Sequence, residues 1–265
     1  MMPKLYAFLP CYNEALNIGA LIDEWISEGG LLLTEGYKLI VCPIDDCSKD
    51  NTLEIMQSKA SEYGTDRVNV IRHEQNKNLR GGLNTSISYF LEHGNDDDLM
   101  CLMDGDDTHS PRFIHSMVNK LNGDGLDCVI ASRYCRDSDV KGLAGHRKFL
   151  SDMAKVYYSM MLRVPGVKDY TCGYRVYRKH IIVKLVSRFG DDPIKEMSFA
   201  CMMEFLYKLY LVGTKFGEVG FELRYDKKQG ESKMKISDTM RNSLLSAVRF
   251  RKLRKTVPGN GRSNG

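Results

Sequence analysis

No stretch of this sequence approaches the ~20 consecutive apolar residues that a membrane-crossing helix needs. The chain opens Met1-Met2-Pro3-Lys4-Leu5 straight into a strand-like run, so no signal peptide is expected. No internal repeat or low-complexity segment is visible. No Gly-x-Gly-x-x-Gly follows the first strand-like run, which argues against a dinucleotide-binding protein, and no P-loop Gly-Lys-Ser/Thr occurs. The eight cysteines (11, 42, 47, 101, 128, 135, 172 and 201) include no Cys-x-x-Cys pair. They read as buried thiols, not as disulfides or a zinc site. A broad basic face is missing too. Of the net charge of +4, residues 249–265 hold +6 (Arg249, Arg251, Lys252, Arg254, Lys255, Arg262) and residues 1–248 carry −2. That distribution does not suit a nucleic-acid binder. It suits a body that meets an anionic surface at one end.

What is present is the balance of a globular protein, with 43% hydrophobic and 27% charged residues in 265. Short apolar runs alternate with amphipathic segments. Leu5–Pro10, Tyr37–Ile44, Val68–Arg72, Leu99–Met103 and Asp127–Ser132 read as strands. Helices are expected over a segment carrying Leu16 to Ile26, over Thr52–Tyr63, from Arg80-Gly81-Gly82 to about His93, and from Pro111 onward. Strands alternating with helices through short connections specify an α/β fold, with a mostly parallel central sheet covered on both faces. The second half predicts an amphipathic helix with a basic start over Gly142–Leu162, then a loop and strand over Val167–Val176. A core helix follows over Ser198–Val212, an edge strand over Phe216–Tyr225, a polar loop over Asp226–Met234 and a last helix over Ser237–Lys255. Glu204 lies inside the core helix and needs either a partner or a job, and Arg175 is one candidate partner.

Leu99–Met103 ends abruptly in Asp104-Gly105-Asp106-Asp107. Carboxylates two residues apart at a strand end point to one side. Gly105 between them lets the backbone come close to whatever they hold. Such a pair suits Mg²⁺ or Mn²⁺, which keep positions for water and phosphate oxygens. In parallel sheets ligands collect at the carboxyl ends of strands. Two other strand ends carry Tyr12-Asn13-Glu14 and Asp45-Asp46, the latter also placed to cap the Thr52 helix. His109, beside the pair, reads as a packing residue.

Taken together, Pro10-Cys11-Tyr12-Asn13-Glu14, Asp45-Asp46-Cys47-Ser48, Asp104-Gly105-Asp106 and Ala131-Ser132-Arg133-Tyr134 resemble an inverting GT-A glycosyltransferase of family 2. Thr171-Cys172-Gly173-Tyr174-Arg175-Val176-Tyr177-Arg178, Ser198-Phe199-Ala200 with Glu204, and Gly230-Glu231-Ser232-Lys233-Met234 are similar to dolichol-phosphate mannosyltransferases and other polyprenyl-phosphate glycosyltransferases. The resemblance spans residues 4 to 234. It implies a Rossmann-like GT-A domain over 1–235, followed by a basic amphipathic helix over 236–255 and a disordered tail over 256–265. It implies a GDP-mannose or UDP-sugar donor and a divalent metal on Asp104 and Asp106, with Gly105 and Thr108 beside it. Pro10, Tyr12, Glu14, Ile44 and Asp46 would line the nucleoside pocket. Arg133, Lys227 and Lys233 would meet donor phosphates. Arg147, Ser151, Arg175 and Ser232 would lie at an acceptor phosphate. Four positions depart from the family pattern: Cys47 and Arg80 replace glycines, Thr108 stands where Gln or Ser is usual, and Lys227 replaces Arg.

The expected chemistry breaks a sugar–phosphate bond while Arg133, Lys233 and the metal stabilise the charge on the leaving diphosphate. A lipid-phosphate acceptor is already anionic at neutral pH, since the second phosphate pKa is about 6, and needs no general base. A saccharide hydroxyl acceptor would call for one, for which Glu204 or Asp169 is available. A non-catalytic nucleotide-sugar-binding subunit is a third reading. The basic end helix, with five cations at roughly 1 kcal/mol each near an anionic bilayer, is expected on the cytoplasmic face of a membrane. The missing span leaves room for a separate membrane-anchoring subunit.

Overall fold

The computed structural model describes residues 2–141, 145–224 and 246–252. Strands β1 (Lys4–Cys11), β2 (Lys38–Asp45), β3 (Ile71–Arg72) and β4 (Leu99–Leu102) alternate with helices α1 (Ile18–Thr34), α2 (Thr52–Tyr63) and α3 (Asn78–His93). A short 3-10 turn over Pro111–Phe113 leads into α4 (Ile114–Gly123), then β5 (Cys128–Ser132), β6 (Asp139–Lys141) and α5 (Gly145–Leu162). The chain continues through β7 (Arg175–Arg178), α6 (Lys179–Phe189), α7 (Cys201–Leu211), β8 (Phe216–Gly220) and β9 (Glu222–Arg224). Residues 246–252 are helical.

Seven strands form one sheet in the order β3-β2-β1-β4-β7-β5-β8, and β6 pairs with β9 in a separate ribbon. The large sheet is parallel except for β7, which runs antiparallel to β4 and β5. From β1 the chain builds outward through β2 and β3, then returns to place β4 on the other side of β1. That reversal opens a crevice beyond the carboxyl ends of β1 and β4, where open α/β sheets bind ligands. The expected polar strand ends are therefore brought to one edge.

The alternation of side chains along β1 sorts the two faces. Tyr6 and Phe8 turn toward α3, meeting Phe90 and Tyr89 with ring centroids 5.7 and 5.9 Å apart. The opposite face packs on α1, whose buried Trp25 meets Tyr174 edge-on at 6.3 Å. Three residues on, Tyr177 lies on the α3 side of the sheet and packs on Phe205 of α7 at 5.1 Å.

Three expectations change. Val68–Arg72 is not a continuous strand: Ile71 and Arg72 pair with β2, and Val68 makes only an isolated bridge to Val41. Phe216–Tyr225 divides at Phe221, which is buried and stacks on His109 at 5.3 Å. That inward turn leaves β8 at the sheet edge and sends β9 to β6. Helix α6 is additional to the elements the sequence pattern predicts. It begins directly after β7 with no Gly, Pro or capping residue between, and buries Ile181, Ile182 and Leu185. Of the C-terminal expectation, only 246–252 falls within the described residues.

Candidate active site

The loops after β1 and β2 are laced together by short polar side chains. Asn13 accepts the Lys49 N–H at 2.7 Å, the Asn13 N–H reaches Ser48 Oγ at 3.0 Å, and the Glu14 N–H reaches Thr52 Oγ1 at 2.8 Å. Glu14 itself accepts from the Asn17 amide at 2.8 Å. Pro10 stands opposite Ile44 in the β1–β2 register, and the fully buried Ile44 forms the floor beneath these loops. Asp46 is 5% exposed and does not cap α2; the Thr52 N–H at the start of that helix goes to Asp50, at 3.1 Å. Asp46 Oδ1 instead takes His73 Nδ1 at 2.7 Å and the Lys77 N–H at 2.8 Å. Cys47 has φ of +60°, in the left-handed region that favours glycine, which explains the glycine usual at this position. Arg80 turns away from these loops and bonds Asp192 and the Ile194 carbonyl.

The loop after β4 comes in against β1. A Cβ on Gly105 would stand 2.2 Å from Cys11 Sγ, so only glycine permits that approach. A Cβ on Gly173 would stand 2.8 Å from Asp104 Oδ1, so bare backbone lies against this carboxylate. Thr108 is buried and donates its hydroxyl to Asp106 Oδ1 at 2.7 Å. It orients Asp106 and is not itself turned outward as a ligand. His109 packs between Phe221 and Tyr174, bearing out its reading as a packing residue. Burial lowers its pKa, against the pull of both Asp104 and Asp106. Among the described residues no cluster of three or more His, Cys, Asp or Glu side chains could enclose a metal. A cation bound at this loop would have Asp104 and Asp106 as its carboxylate ligands. This fits Mg²⁺ or Mn²⁺, ions that fill their remaining positions with water and phosphate oxygen.

Across the sheet the polar groups are cations. Arg133, just beyond β5, grips Asp169 in a two-point pair, Nε to Oδ2 and Nη2 to Oδ1, both 2.7 Å. Asp169 is fully buried. Although burial opposes its ionisation, the Arg133 guanidinium and the surrounding donors hold its carboxyl at about 2, below the ordinary 3.8. Glu218, whose own pKa burial raises, accepts the Lys168 and Asp169 N–H groups at 2.6 and 2.7 Å and fixes that loop. Arg175 is 1% exposed. It donates to the Met202 and Tyr170 carbonyls at 3.1 and 3.0 Å, tying the start of α7 to the 170 loop. At that depth it does not reach an incoming phosphate, which corrects its expected direct contact. Nor does it pair with Glu204, which takes Lys208 at 2.6 Å and the Lys195 and Glu196 N–H groups.

The structure thus gathers Pro10, Tyr12, Glu14, Ile44 and Asp46 at one end of the crevice and Asp104, Gly105, Asp106 and Thr108 beside them. Positions 147 and 151 lie on α5, but their side chains are outside the described residues, as are Lys227, Ser232 and Lys233. The Arg224 N–H donates to the Thr108 carbonyl at 3.0 Å, so the chain reaches the carboxylate pair three residues before Lys227. Neither His73 nor Thr85, nor the approach of Gly173 to Asp104, was singled out from the sequence. Their partners lie 27, 12 and 69 positions away in sequence, and no local spacing signals them.

The family model for glycosyl transferase family 2 matches residues 6–186. Two curated relatives are similar. One is the polyprenol monophosphomannose synthase of Mycolicibacterium smegmatis, 27% identical over 182 residues, 69% of this chain and 64% of that protein. The other is the UDP-N-acetylglucosamine–dolichyl-phosphate N-acetylglucosaminyltransferase of Methanococcus voltae, 26% identical over 231 residues, covering 83% of this chain and 86% of that one. Among solved structures, glucosyl-3-phosphoglycerate synthase from Mycobacterium tuberculosis, in complex with Mn²⁺, UDP and glucosyl-3-phosphoglycerate, superposes with a TM-score of 0.64 at 15% identity, over 98% of this chain and 82% of that one. A mannosyltransferase from Pyrobaculum calidifontis, with GDP-Man and Mn²⁺, gives 0.57 at 13% identity, over 98% and 77%. The sheet order and its neighbours are those of the GT-A fold. With the family model covering more than half its length, the chain belongs to glycosyl transferase family 2 and is a glycosyltransferase.

Proposed function

We propose that this glycosyltransferase moves one sugar, with inversion, from a nucleotide-sugar to a polyprenyl phosphate at a membrane surface. The observation that carries the acceptor class is the state of the carboxylates. A hydroxyl acceptor needs a base, and both carboxylates the sequence offers are spent. Asp169 is clamped by Arg133 and held ionised, and Glu204 is saturated by Lys208 and two N–H groups. Arg175, by contrast, has no carboxylate partner among the described residues. Its uncancelled charge favours an anion on this side of the sheet. An acceptor that arrives as an anion needs no base. Both curated relatives are named for polyprenyl or dolichyl phosphate chemistry, which supports the same class.

Asp46 and the loops after β1 and β2 would hold the nucleoside. Asp104 and Asp106 would hold Mg²⁺ or Mn²⁺, which when bound neutralises charge on the leaving diphosphate. The second Nη of Arg133, together with Lys233 and Lys227, would meet the donor phosphates. Arg147, Ser151 and Ser232 would hold the acceptor phosphate, while Arg175 anchors the start of α7. The outer face of α5 suits a lipid substrate. Met153, Val156 and Met160, at helical spacing, are 54–58% exposed, and no helix among the described residues is long and apolar enough to cross a membrane.

The test is transfer from labelled GDP-mannose and UDP-sugars to a short polyprenyl phosphate, with Mn²⁺ or with chelator. Label should pass into the organic phase only with the cation. Label that stays aqueous on a saccharide acceptor would overturn the acceptor class, and full turnover in chelator would overturn the metal.

A further inference from the structure

We infer that His73 is a positioning residue for donor recognition: it holds Asp46 in the orientation that reads the nucleotide base. The inference rests on the proposed assignment of Asp46 to the nucleoside pocket.

The geometry is a three-member chain running from the crevice to the outside of α3. His73 follows β3 directly and is 4% exposed. Its Nδ1 lies 2.7 Å from Asp46 Oδ1 and its Nε2 lies 2.8 Å from Thr85 Oγ1. A carboxylate only accepts, so Nδ1 carries the proton given to Asp46; Nε2 can then accept from the Thr85 hydroxyl. The ring is thereby fixed at both nitrogens. The Lys77 N–H reaches the same Oδ1 at 2.8 Å. Both donors thus load one oxygen and leave Oδ2 for a ligand. An acceptor held in a fixed direction reads an N–H on a base edge, such as the imino N–H of uracil or guanine. The hydrogen bonds place Asp46 between the crevice on one side and, through Lys77 and Thr85, a cleft of about 570 Å³ against α3 on the other. Without His73, one N–H from a loop backbone would be left to orient the Asp46 side chain. The residue acts through Asp46 and touches no reacting atom.

The experiment measures binding of UDP, GDP and base-less inorganic pyrophosphate, each with Mn²⁺, to the full chain and its variants by calorimetry. His73→Leu should weaken UDP and GDP about tenfold and leave pyrophosphate unchanged. His73→Asn, whose amide overlays Nδ1 and can still donate to Asp46, should recover most of the loss. Thr85→Val keeps the ring and drops only its outer anchor, and should cost about threefold on the nucleotides alone. Adding His73→Leu to Asp46→Ala should weaken UDP no further than Asp46→Ala does. If Asp46→Ala binds nucleotide like the parent, the nucleoside assignment falls. If Asp46→Ala weakens binding and His73→Leu does not, the positioning role alone falls. Equal weakening of pyrophosphate by His73→Leu would mark a merely structural histidine and overturn the inference. Should His73→Leu fail to fold, Thr85→Val decides: nucleotide-selective weakening supports the role, and parent-like binding refutes it.

Discussion

The two halves of the crevice hold their functional groups by different means. On the side of β1, β2 and β4, the cost is carried in the backbone. Of the five non-glycine residues with positive φ among those described, Asn13, Cys47 and Asp107 stand in the loops after β1, β2 and β4, and Asn78 stands at the first position of α3, where the connection from β3 ends. Each such residue costs roughly 1–2 kcal/mol. On the side of β5 and β7, the loops are less strained and the cost is buried charge: the Arg133–Asp169 pair and the lone Arg175 guanidinium. On the proposed function, the difference follows from what each half would present. A nucleoside and a cation are met by carboxylates and amides aimed in fixed directions, which tight loops provide. Phosphates are met by positive charge, which a protein can keep only by pairing or hydrogen bonding it.

The largest effect should separate the halves by chemistry. Asp104→Ala and Asp106→Ala should each lower turnover by about a thousandfold, on the order of 4 kcal/mol of transition-state stabilisation. Thermal stability should barely change, because each is a partly exposed loop carboxylate. Steady-state rates with Mn²⁺ titration, beside a melting curve, check both halves of that statement. A variant that loses stability and keeps turnover would dissolve the contrast.

On the charged side the order reverses. Asp169→Asn leaves the half-buried Arg133 without its anion; breaking a fully buried pair costs about 3–5 kcal/mol of stability, and the cost here should fall at or below the lower end of that range. The pH dependence has a definite sign. The folded pKa of Asp169, about 2, lies below the ordinary 3.8. Its stabilisation is therefore complete above about pH 4 and is lost as pH falls toward 2. Denaturant melts of the parent should weaken through that window, while the Asn variant, with nothing to protonate, should lack that component.

Gly173→Ala probes a place where the halves touch. The added Cβ would stand 2.8 Å from Asp104 Oδ1, so the carboxylate must move. About a tenfold loss in apparent Mn²⁺ affinity is expected, with the nucleoside loops undisturbed, as read by base-dependent binding. Unchanged Mn²⁺ affinity would mean that Asp104 is not oriented from across the crevice.

How much of this was legible depended on whether the information was local. The strands β1, β2, β4 and β5 announced themselves as apolar runs, and Thr52–Tyr63 was bounded by turn residues, so these elements appear where the sequence places them. The carboxylate pair and the Asp45-Asp46 cluster were readable because their chemistry lies within two residues of a strand end. Arg175 was placed at the acceptor phosphate by resemblance, while its depth is set by β4, β5 and α7 closing over it, which no local spacing shows. Glu204 found its partner one helical turn on, at Lys208, a pairing the spacing already contained. The Asp46–His73 contact joins two strand ends 27 residues apart, and only the β2–β3 pairing brings them together.

The smallest effect tests the strained side directly. Cys47→Gly replaces a residue held at φ of +60° by the residue that adopts it without penalty. Glycine also loses more freedom on folding, which offsets part of the gain, so about 0.5–1 kcal/mol of net stabilisation is expected. The Asp45–Ser48 turn needs no side chain at position 47: Ser48 bonds Asp45 through its own N–H at 3.2 Å. The Cys47 thiol makes only a long contact with the Glu74 carbonyl, 3.8 Å away. The melting temperature should therefore rise slightly with nucleotide affinity unchanged. If affinity falls while stability rises, the strain at Cys47 helps to aim the loop at its ligand, and the cost borne by this half of the crevice belongs to recognition as well as to folding.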